Sequence, residues 1–249
     1  MSPLARQTSR QGARTRRRIL DAAIDQFGRN GYRACSLARI AEQAGVGQSN
    51  ILHHFGSKAE LLTTVLSELY FPTEDGAENE DGTGGGEEPE DQAAAEDRAG
   101  SGAGPNAGLH AEPAAGRKDP EQPATLPTLA DTFLAMAEES SQTAGRVRFF
   151  SVLTGESLTE DHPAQTFFRA RYDALRSQYA ARLDHEAAEA GVALDPGVRD
   201  SVVNLAVAAL DGLQLQWLRN PQDVDLVREV EPIAELLRQV VRPDGSSTR

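Results

Sequence analysis

The sequence predicts an all-α protein in which two helical regions flank a long acidic segment. Apolar residues recur at helical spacing both before residue 72 and after residue 124. Residues 37–54 have the spacing of a helix-turn-helix. Between the two regions, residues 73–124 contain no aromatic residue, no Val or Ile, and a single Leu. These observations divide the chain into two helical domains and an insertion.

The first region opens with a basic segment. Residues 1–13 carry arginines and no apolar run, and we expect a flexible basic arm there. This arm either follows nucleic acid, along the backbone or in the minor groove, or is a frayed, solvated terminus. From residue 14 to about 29 the apolar side chains recur at helical spacing. We expect Asn30 and Gly31 to end this first helix.

The helix-turn-helix pattern starts at Leu37. Ala41 then occupies the fifth position, Gly45 the ninth and Ile51 the fifteenth. Ala41 is small because the second helix of the pair crosses over it. Gly45 suits the left-handed residue that ends the first helix of the pair, since glycine adopts positive φ without steric cost. Ser36 is the expected N-cap.

The next helix leaves a polar face, and a further helix follows it. Gln48, Ser49, Asn50, His53 and His54 can all form hydrogen bonds. Three residues after Ser57 comes Glu60, the spacing of a capping box, which predicts the start of another helix. The domain should therefore cover residues 14–71.

Residues 16–62 resemble the DNA-binding region of the tetracycline-repressor (TetR) family. The segments I-L-D-A-A, F-G-R-N-G-Y, S-L-A-R-I-A-E-Q-A-G-V and L-H-H-F-G-S-K-A-E-L-L carry the resemblance. It implies a cytoplasmic bacterial regulator, most often a repressor. Such a protein binds double-stranded operator DNA as a homodimer and releases it when a small-molecule effector enters the C-terminal domain.

The resemblance and the polar face together define a set of DNA contacts. The family usually has Ser or Thr where Gly47 stands, and Tyr where Leu52 stands. Glycine caps a helix nearly as well as Ser, and we assign the phosphate contact to the neighbouring His53. Amides such as Gln48 and Asn50 can read adenine. The expected contacts are Ser36, Arg39, Gly47, Gln48, Ser49, Asn50, His53, His54 and Lys58.

The net charge of −13 is unevenly distributed along the chain. Residues 1–60 hold ten Lys and Arg against four Asp and Glu, whereas residues 73–124 hold three against fourteen. The basic end fits a DNA footprint. Residues 72–124 are too poor in apolar side chains to fold, and we expect a disordered insertion. It is either inert or an acidic tether that competes with DNA for the basic end.

Residues 125–242 return to helical spacing, and residues 243–249 should form a flexible tail. We expect five helices, the last with Pro232 inside it, where it should kink or restart. Large side chains of this domain are candidates to line an effector pocket. The alternative is that most of them belong to the hydrophobic core. The candidates are Phe133, Met136, Phe149, Phe150, Leu153, Phe167, Tyr172 and Trp217.

The last two helices carry stripes that suit a homodimer. Paired about a two-fold axis, they would form a four-helix bundle; alternatively, the stripes close the protomer's own core. The candidates are Val202, Leu205, Ala209, Gly212, Gln216, Val227, Val230, Ala234, Leu237 and Val241.

Other functions leave no signal in the sequence. The single Cys35 rules out an intramolecular disulfide. No apolar run approaches the roughly 18 residues of a membrane span. We expect no cofactor, no metal site and no catalytic residues, because no phosphate loop, nucleophile elbow or metal-ligand motif is present. Two alternatives stay open: a nucleoid-type DNA-binding protein without an effector, and a DNA-binding module fused to an unrecognised enzyme domain.

Overall fold

The computed structural model describes residues 3–70 and 127–242, and the regular structure within these ranges is entirely helical. The all-α prediction is confirmed. The acidic insertion expected at 72–124 and the tail expected at 243–249 lie outside the described residues. The helices are α1 (Pro3–Ala34), α2 (Leu37–Ala44), α3 (Gln48–Phe55), α4 (Lys58–Tyr70), α5 (Leu129–Gln142), α6 (Ala144–Glu156), α7 (Gln165–Glu189), α8 (Pro196–Arg219) and α9 (Leu226–Val240).

Helix α1 differs from the prediction at both ends. It begins at Pro3, so most of the segment expected to be a flexible arm is helical. Arg, Gln and Ala favour helix, and a single Gly12 costs only about 1 kcal/mol. The expected break at Gly31 is present as a non-helical residue, with φ of 74° and ψ of 168°, although the helix resumes for three more residues.

The first domain packs around the inner faces of α1, α2 and α3. Ile19, Phe27, Ile40 and Ile51 are fully buried in one core. The apolar spacing of α1 and the corner residues of the helix-turn-helix were the signals for this core, and both are confirmed. Helix α4 then packs against α1 and α3.

The second domain is joined to the first through α1 and α6, which pack closely together. A Cβ placed on Gly28 would lie 3.2 Å from the backbone N and Cα of Phe149, so the two helices touch without an intervening side chain. Helix α5 packs against α9, and α8 packs against α6, α7 and α9. Helix α9 continues through Pro232 without restarting, because buried residues on both sides of the proline hold it in the core.

Within residues 3–70 and 127–242, no helix is both long and apolar enough to cross a lipid bilayer.

Candidate nucleic-acid interface

The corner between α2 and α3 is fixed by caps at each helix end. The Ser36 hydroxyl accepts the Arg39 amide at 3.3 Å and caps α2. Gly45 ends α2 in the left-handed conformation with φ of 63°. Gly47 is the N-cap of α3 and supplies no side-chain bond. These three sequence predictions are confirmed. They make α3 a short, rigid helix at a defined angle to α2.

Arg18 of α1 adds a bond across the end of α2. Its guanidinium donates to the carbonyl oxygen of Ala44 and, at 3.3 Å, to that of Gly45. A basic side chain at a helix C-terminus satisfies carbonyls that have no partner within the helix. Arg18 therefore holds α2 against α1, although the sequence offered it only as one of several arginines.

The polar residues of α3 lie on one exposed face. Gln48, Ser49, Asn50 and His53 are all exposed, and no hydrogen bond from their side chains to another described residue is present. Arg39 is exposed beside them, and His54 is half-buried. Four uncommitted donor and acceptor groups on an eight-residue helix match the way a recognition helix meets base edges in the major groove.

Lys58 is placed differently from the other predicted contacts. Its ammonium group donates to the carbonyl oxygens of Tyr32 and Cys35, both at 2.8 Å, and lies 4.3 Å from the centre of the Tyr32 ring. The side chain is half-buried. Lysine has three donors, so one remains for a phosphate. The sequence did not reveal that this lysine also ties α4 to the turn between α1 and α2.

The end of α6 forms a polar joint with the first domain. The Glu156 carboxylate accepts the Tyr32 amide at 2.5 Å and occupies the space that a side chain on Gly31 would need. Arg33 donates to Thr159 and to the carbonyl of Glu160 just beyond α6. The turn that leads into α2 is therefore attached directly to the second domain.

His162 lies beside this joint and is buried. Its Nδ1 accepts the Ala164 amide at 3.2 Å, and its Nε2 lies 3.8 Å from the Glu156 carboxylate. Burial lowers the pKa of His162, although the nearby Glu156 acts in the opposite direction. The imidazole is therefore neutral at pH 7, which suits its role as an acceptor at Nδ1.

The predicted effector-pocket residues separate into two groups. Phe133, Met136, Phe149, Leu153 and Trp217 are buried in the core, and Phe167 is half-buried against it. Only Phe150 and Tyr172 line an appreciable cavity, of about 70 Å³, between α6, α7 and α8. Most of the candidates therefore lie where the alternative interpretation places them, in the hydrophobic core.

The cavity contains polar side chains that the sequence analysis did not select. Besides the two aromatic residues, its lining comprises Ser151, Thr154, Arg171, Asp211, Gln214 and Leu215. A helical wheel could have found two of them. Arg171 falls between Phe168 and Leu175 on the apolar face of α7, and Gln214 lies between apolar positions of α8. A charged or amide residue on an apolar face signals a buried polar site.

The α9 half of the predicted dimer interface is occupied within the protomer. Val230, Ala234 and Leu237 are buried, on the helix that packs against α5. They cannot also contact a second subunit, so their assignment is corrected. Val227 and Val241 are half-buried against the same core. The alternating spacing of α9 marked the protomer's own helix packing.

Helix α8 retains an exposed apolar stripe that differs in part from the predicted one. Val202 is buried, and Ala209 and Gly212 are half-buried, whereas Gln216 is exposed. Val198, Leu205 and Leu215 are 49%, 56% and 45% exposed. Given about 100° per residue, these three side chains lie within one 100° sector, which is turned slightly away from the predicted face.

The capped corner between α2 and α3 and the exposed face of α3 define a helix-turn-helix. The model of the family "Bacterial regulatory proteins, tetR family" matches residues 19–65. The likeness to this family is therefore established for the N-terminal region, residues 19–65. It is 38% identical over 71 residues to the HTH-type transcriptional regulator SrpR of Pseudomonas putida, a match that covers 28% of this chain and 33% of SrpR.

Two solved structures share the fold across both domains. NalD of Pseudomonas aeruginosa, the secondary repressor of the MexAB-OprM multidrug efflux pump, has a TM-score of 0.56 and 22% identity over 94% of this chain and 99% of NalD. FadR of Bacillus subtilis, solved in complex with stearoyl-CoA, has a TM-score of 0.53 and 17% identity over 88% of this chain and 96% of FadR. At these identities, the likeness establishes the fold alone.

Proposed function

We propose that this chain is a sequence-specific transcriptional regulator. It is a repressor that binds a near-palindromic operator as a homodimer and releases it when a small-molecule effector binds. The observation that carries the proposal is the uncommitted polar face of α3, held by a capped corner within the region that matches the family. Because its target is the bacterial chromosome, the protein acts in the cytoplasm.

Individual residues take distinct roles on DNA. Gln48 and Asn50 read base edges, most readily adenine, through bidentate amide bonds. Ser49 and His53 contact bases or the nearest phosphates. Ser36 and Arg39 at the start of α2, together with His54, Lys58 and the backbone at Gly47, position the phosphate backbone and carry little sequence information.

Release requires that the second domain move the first. Helix α6 supports this role because it lines the cavity with Phe150 and Thr154 and ends at Glu156, which is bonded to the Tyr32 amide. A ligand that displaces α6 would therefore move the turn that leads into α2. FadR, which shares the fold, binds stearoyl-CoA, and NalD is a repressor. These properties motivate the same interpretation here.

Dimerisation supplies the two-fold symmetry that an operator needs. We assign the contact to the exposed stripe of α8 around Leu205 and Leu215, with a second copy of this chain as the occupant. Two recognition helices would then lie about 34–36 Å apart, one turn of DNA. Gly212 and Ala208 in the same stripe allow the helices to approach closely.

The proposal is tested by DNase footprinting of the full chain on the DNA that flanks its gene. We expect one protected near-palindrome at moderate salt. The Gln48→Ala variant should lose about 1–3 kcal/mol of discrimination at particular base pairs. The Gln222→Ala variant, changed at an exposed position between α8 and α9, is the matched control and should protect the DNA as the parent does. Salt-sensitive coating without a protected site would instead indicate nucleoid-type binding.

A further inference from the structure

The cavity between α6, α7 and α8 contains a buried positive charge that makes no direct ion pair with another described residue. Arg171 is only 4% exposed and lines the cavity. Among the described residues, no carboxylate oxygen lies within 4.0 Å of its guanidinium nitrogens, and its Nε has no hydrogen-bond partner. Burying an unpaired charge is costly, so proteins seldom keep one without a use.

We propose that this cavity binds the carboxylate group of a small organic acid, with the Arg171 guanidinium as its counter-charge. The inference rests on the proposed function, because the acid would be the effector that this function requires. A guanidinium presents planar N–H donors that match the two oxygens of a carboxylate. The site therefore supplies the charge and the N–H donors that a carboxylate needs.

The surroundings of Arg171 hold its charge in place. Its guanidinium carbon lies 5.1 Å from the centre of the Tyr70 ring and 5.2 Å from that of Tyr172. Such cation–π contacts offset part of the desolvation cost without consuming the N–H donors. The Tyr172 hydroxyl donates to the Asp211 carboxylate at 2.7 Å, which fixes the second ring. The arginine is thus oriented before any ligand binds.

The presence of Asp211 does not turn the cavity into a site for cations. Its carboxylate already accepts the Tyr172 hydroxyl, and burial raises the pKa of Asp211, although the bond from Tyr172 and the charge of Arg171 act in the opposite direction. Arginine side chains, in contrast, remain protonated in proteins. The charged group in the cavity without a direct ion pair is therefore the guanidinium, which favours an acceptor that carries negative charge.

The dimensions of the cavity limit the acid. A volume of about 70 Å³ accommodates a carboxylate and a few carbon atoms. Phe150 and Leu215 provide apolar surface for the remainder of the molecule, whereas Ser151 and Thr154 are on the α6 side. We therefore expect short aliphatic or single-ring acids to bind.

The test is calorimetric titration of the full chain with butyrate and benzoate, with butyramide and benzamide as uncharged counterparts. We expect saturable binding of at least one acid, and binding of its amide weaker by about tenfold or more. Equal binding of the acid and its amide would overturn the proposal, as would failure of both acids to bind at about 10 mM.

Variants locate the site. Arg171→Gln should weaken binding of the acid by about tenfold or more, whereas the matched control Arg169→Gln, on the exposed face of the same helix, should bind as the parent does. Unchanged binding by a folded Arg171→Gln variant would overturn the proposal. If this variant does not fold, the Asp211→Asn variant tests the proposed site instead. It removes a nearby charge of the same sign as the ligand and should tighten binding, so unchanged or weaker binding would contradict the proposal.

Footprinting with and without the acid separates the two proposals. An acid that binds through Arg171 and releases DNA supports both. An acid that binds through Arg171 and leaves the protected region unchanged supports the site and overturns its role as the effector site. If the acid binds through Arg171 but the chain protects no operator site in the footprint, only the proposed function is contradicted.

Discussion

Lys58 connects α4 to the end of α1 and to the turn before α2 through one ammonium group. Two of its donors are committed to the carbonyls of Tyr32 and Cys35, at the turn that precedes α2. Hydrogen bonds from a charged donor stabilise a fold more than neutral ones do. The orientation of the helix-turn-helix therefore depends on a residue that resemblance to the family assigns only to DNA contact.

We expect Lys58→Ala to lower the free energy of unfolding by about 2 kcal/mol, because two partly buried carbonyls lose a charged partner. Urea denaturation followed by circular dichroism measures this. Arg39→Ala is the control, since that exposed side chain makes no bond to another described residue through its guanidinium. Both variants should weaken DNA binding, and only Lys58→Ala should shift the urea midpoint. Equal midpoints would show that the turn does not depend on Lys58.

His162 makes stability depend on pH. Burial lowers the pKa of His162 in the folded protein below its ordinary value near 6.5. The unfolded chain therefore binds the proton more readily, and this contribution to stability is full above about pH 6.5 and is lost as the pH falls through the lowered pKa. Protonation would also break the bond from the Ala164 amide to Nδ1.

We expect the thermal midpoint to fall between pH 7 and pH 5.5, with a smaller fall in His162→Gln, which retains an acceptor but does not titrate. The control is His185→Gln, changed at an exposed position of α7. It should keep the parent's pH dependence. If His162→Gln and the parent show the same slope, the acid sensitivity arises elsewhere.

At the scale of elements, α6 carries the connection between the two domains. It packs directly against α1 at Gly28, lines the cavity at one face, and ends in the joint formed by Glu156. A close backbone contact transmits displacement better than flexible side chains do, because packed interfaces deform little. The α1–α6 contact should therefore govern how far effector binding is felt at α3.

Gly28→Ala tests this contact. The added methyl gains up to about 1 kcal/mol in helix propensity, but it meets the Phe149 backbone at 3.2 Å, and such overpacking costs about 1–3 kcal/mol. We expect a net loss of stability in thermal unfolding. Gly145→Ala on α6 has open space around its Cβ and should be neutral or stabilising. A stabilised Gly28→Ala variant would show that the helices separate easily.

Local sequence patterns predicted the positions of the helices better than they predicted which surfaces pack together. Apolar periodicity and capping residues located α2 through α9 because these signals depend on neighbours three or four residues away. The same periodicity could not distinguish a stripe that meets α5 from one that meets another subunit, so Val230 and Leu237 were misassigned. Nor could it locate the cavity, since Arg171 and Asp211 line it from two helices that are distant in the sequence.

At the scale of the whole molecule, the exposed stripe of α8 is the surface that we propose for a two-fold assembly. Leu205→Glu places a charge at the centre of the α8 stripe. We expect it to give monomers in sedimentation velocity and to weaken operator binding, because each half-site would bind alone. Leu158→Glu is the matched control, since Leu158 is 83% exposed on the turn after α6. Dimers that persist in Leu205→Glu would place the contact elsewhere.

Leu215 belongs both to the cavity lining and to the exposed stripe of α8. In a dimer formed through that stripe, the second subunit would cover the protein surface beside the cavity. A bound acid would then leave slowly, at a rate limited by local opening of the subunit contact. The duration of gene expression after the acid is withdrawn would therefore be set by how long the ligand stays bound, independently of how tightly the protein holds its operator.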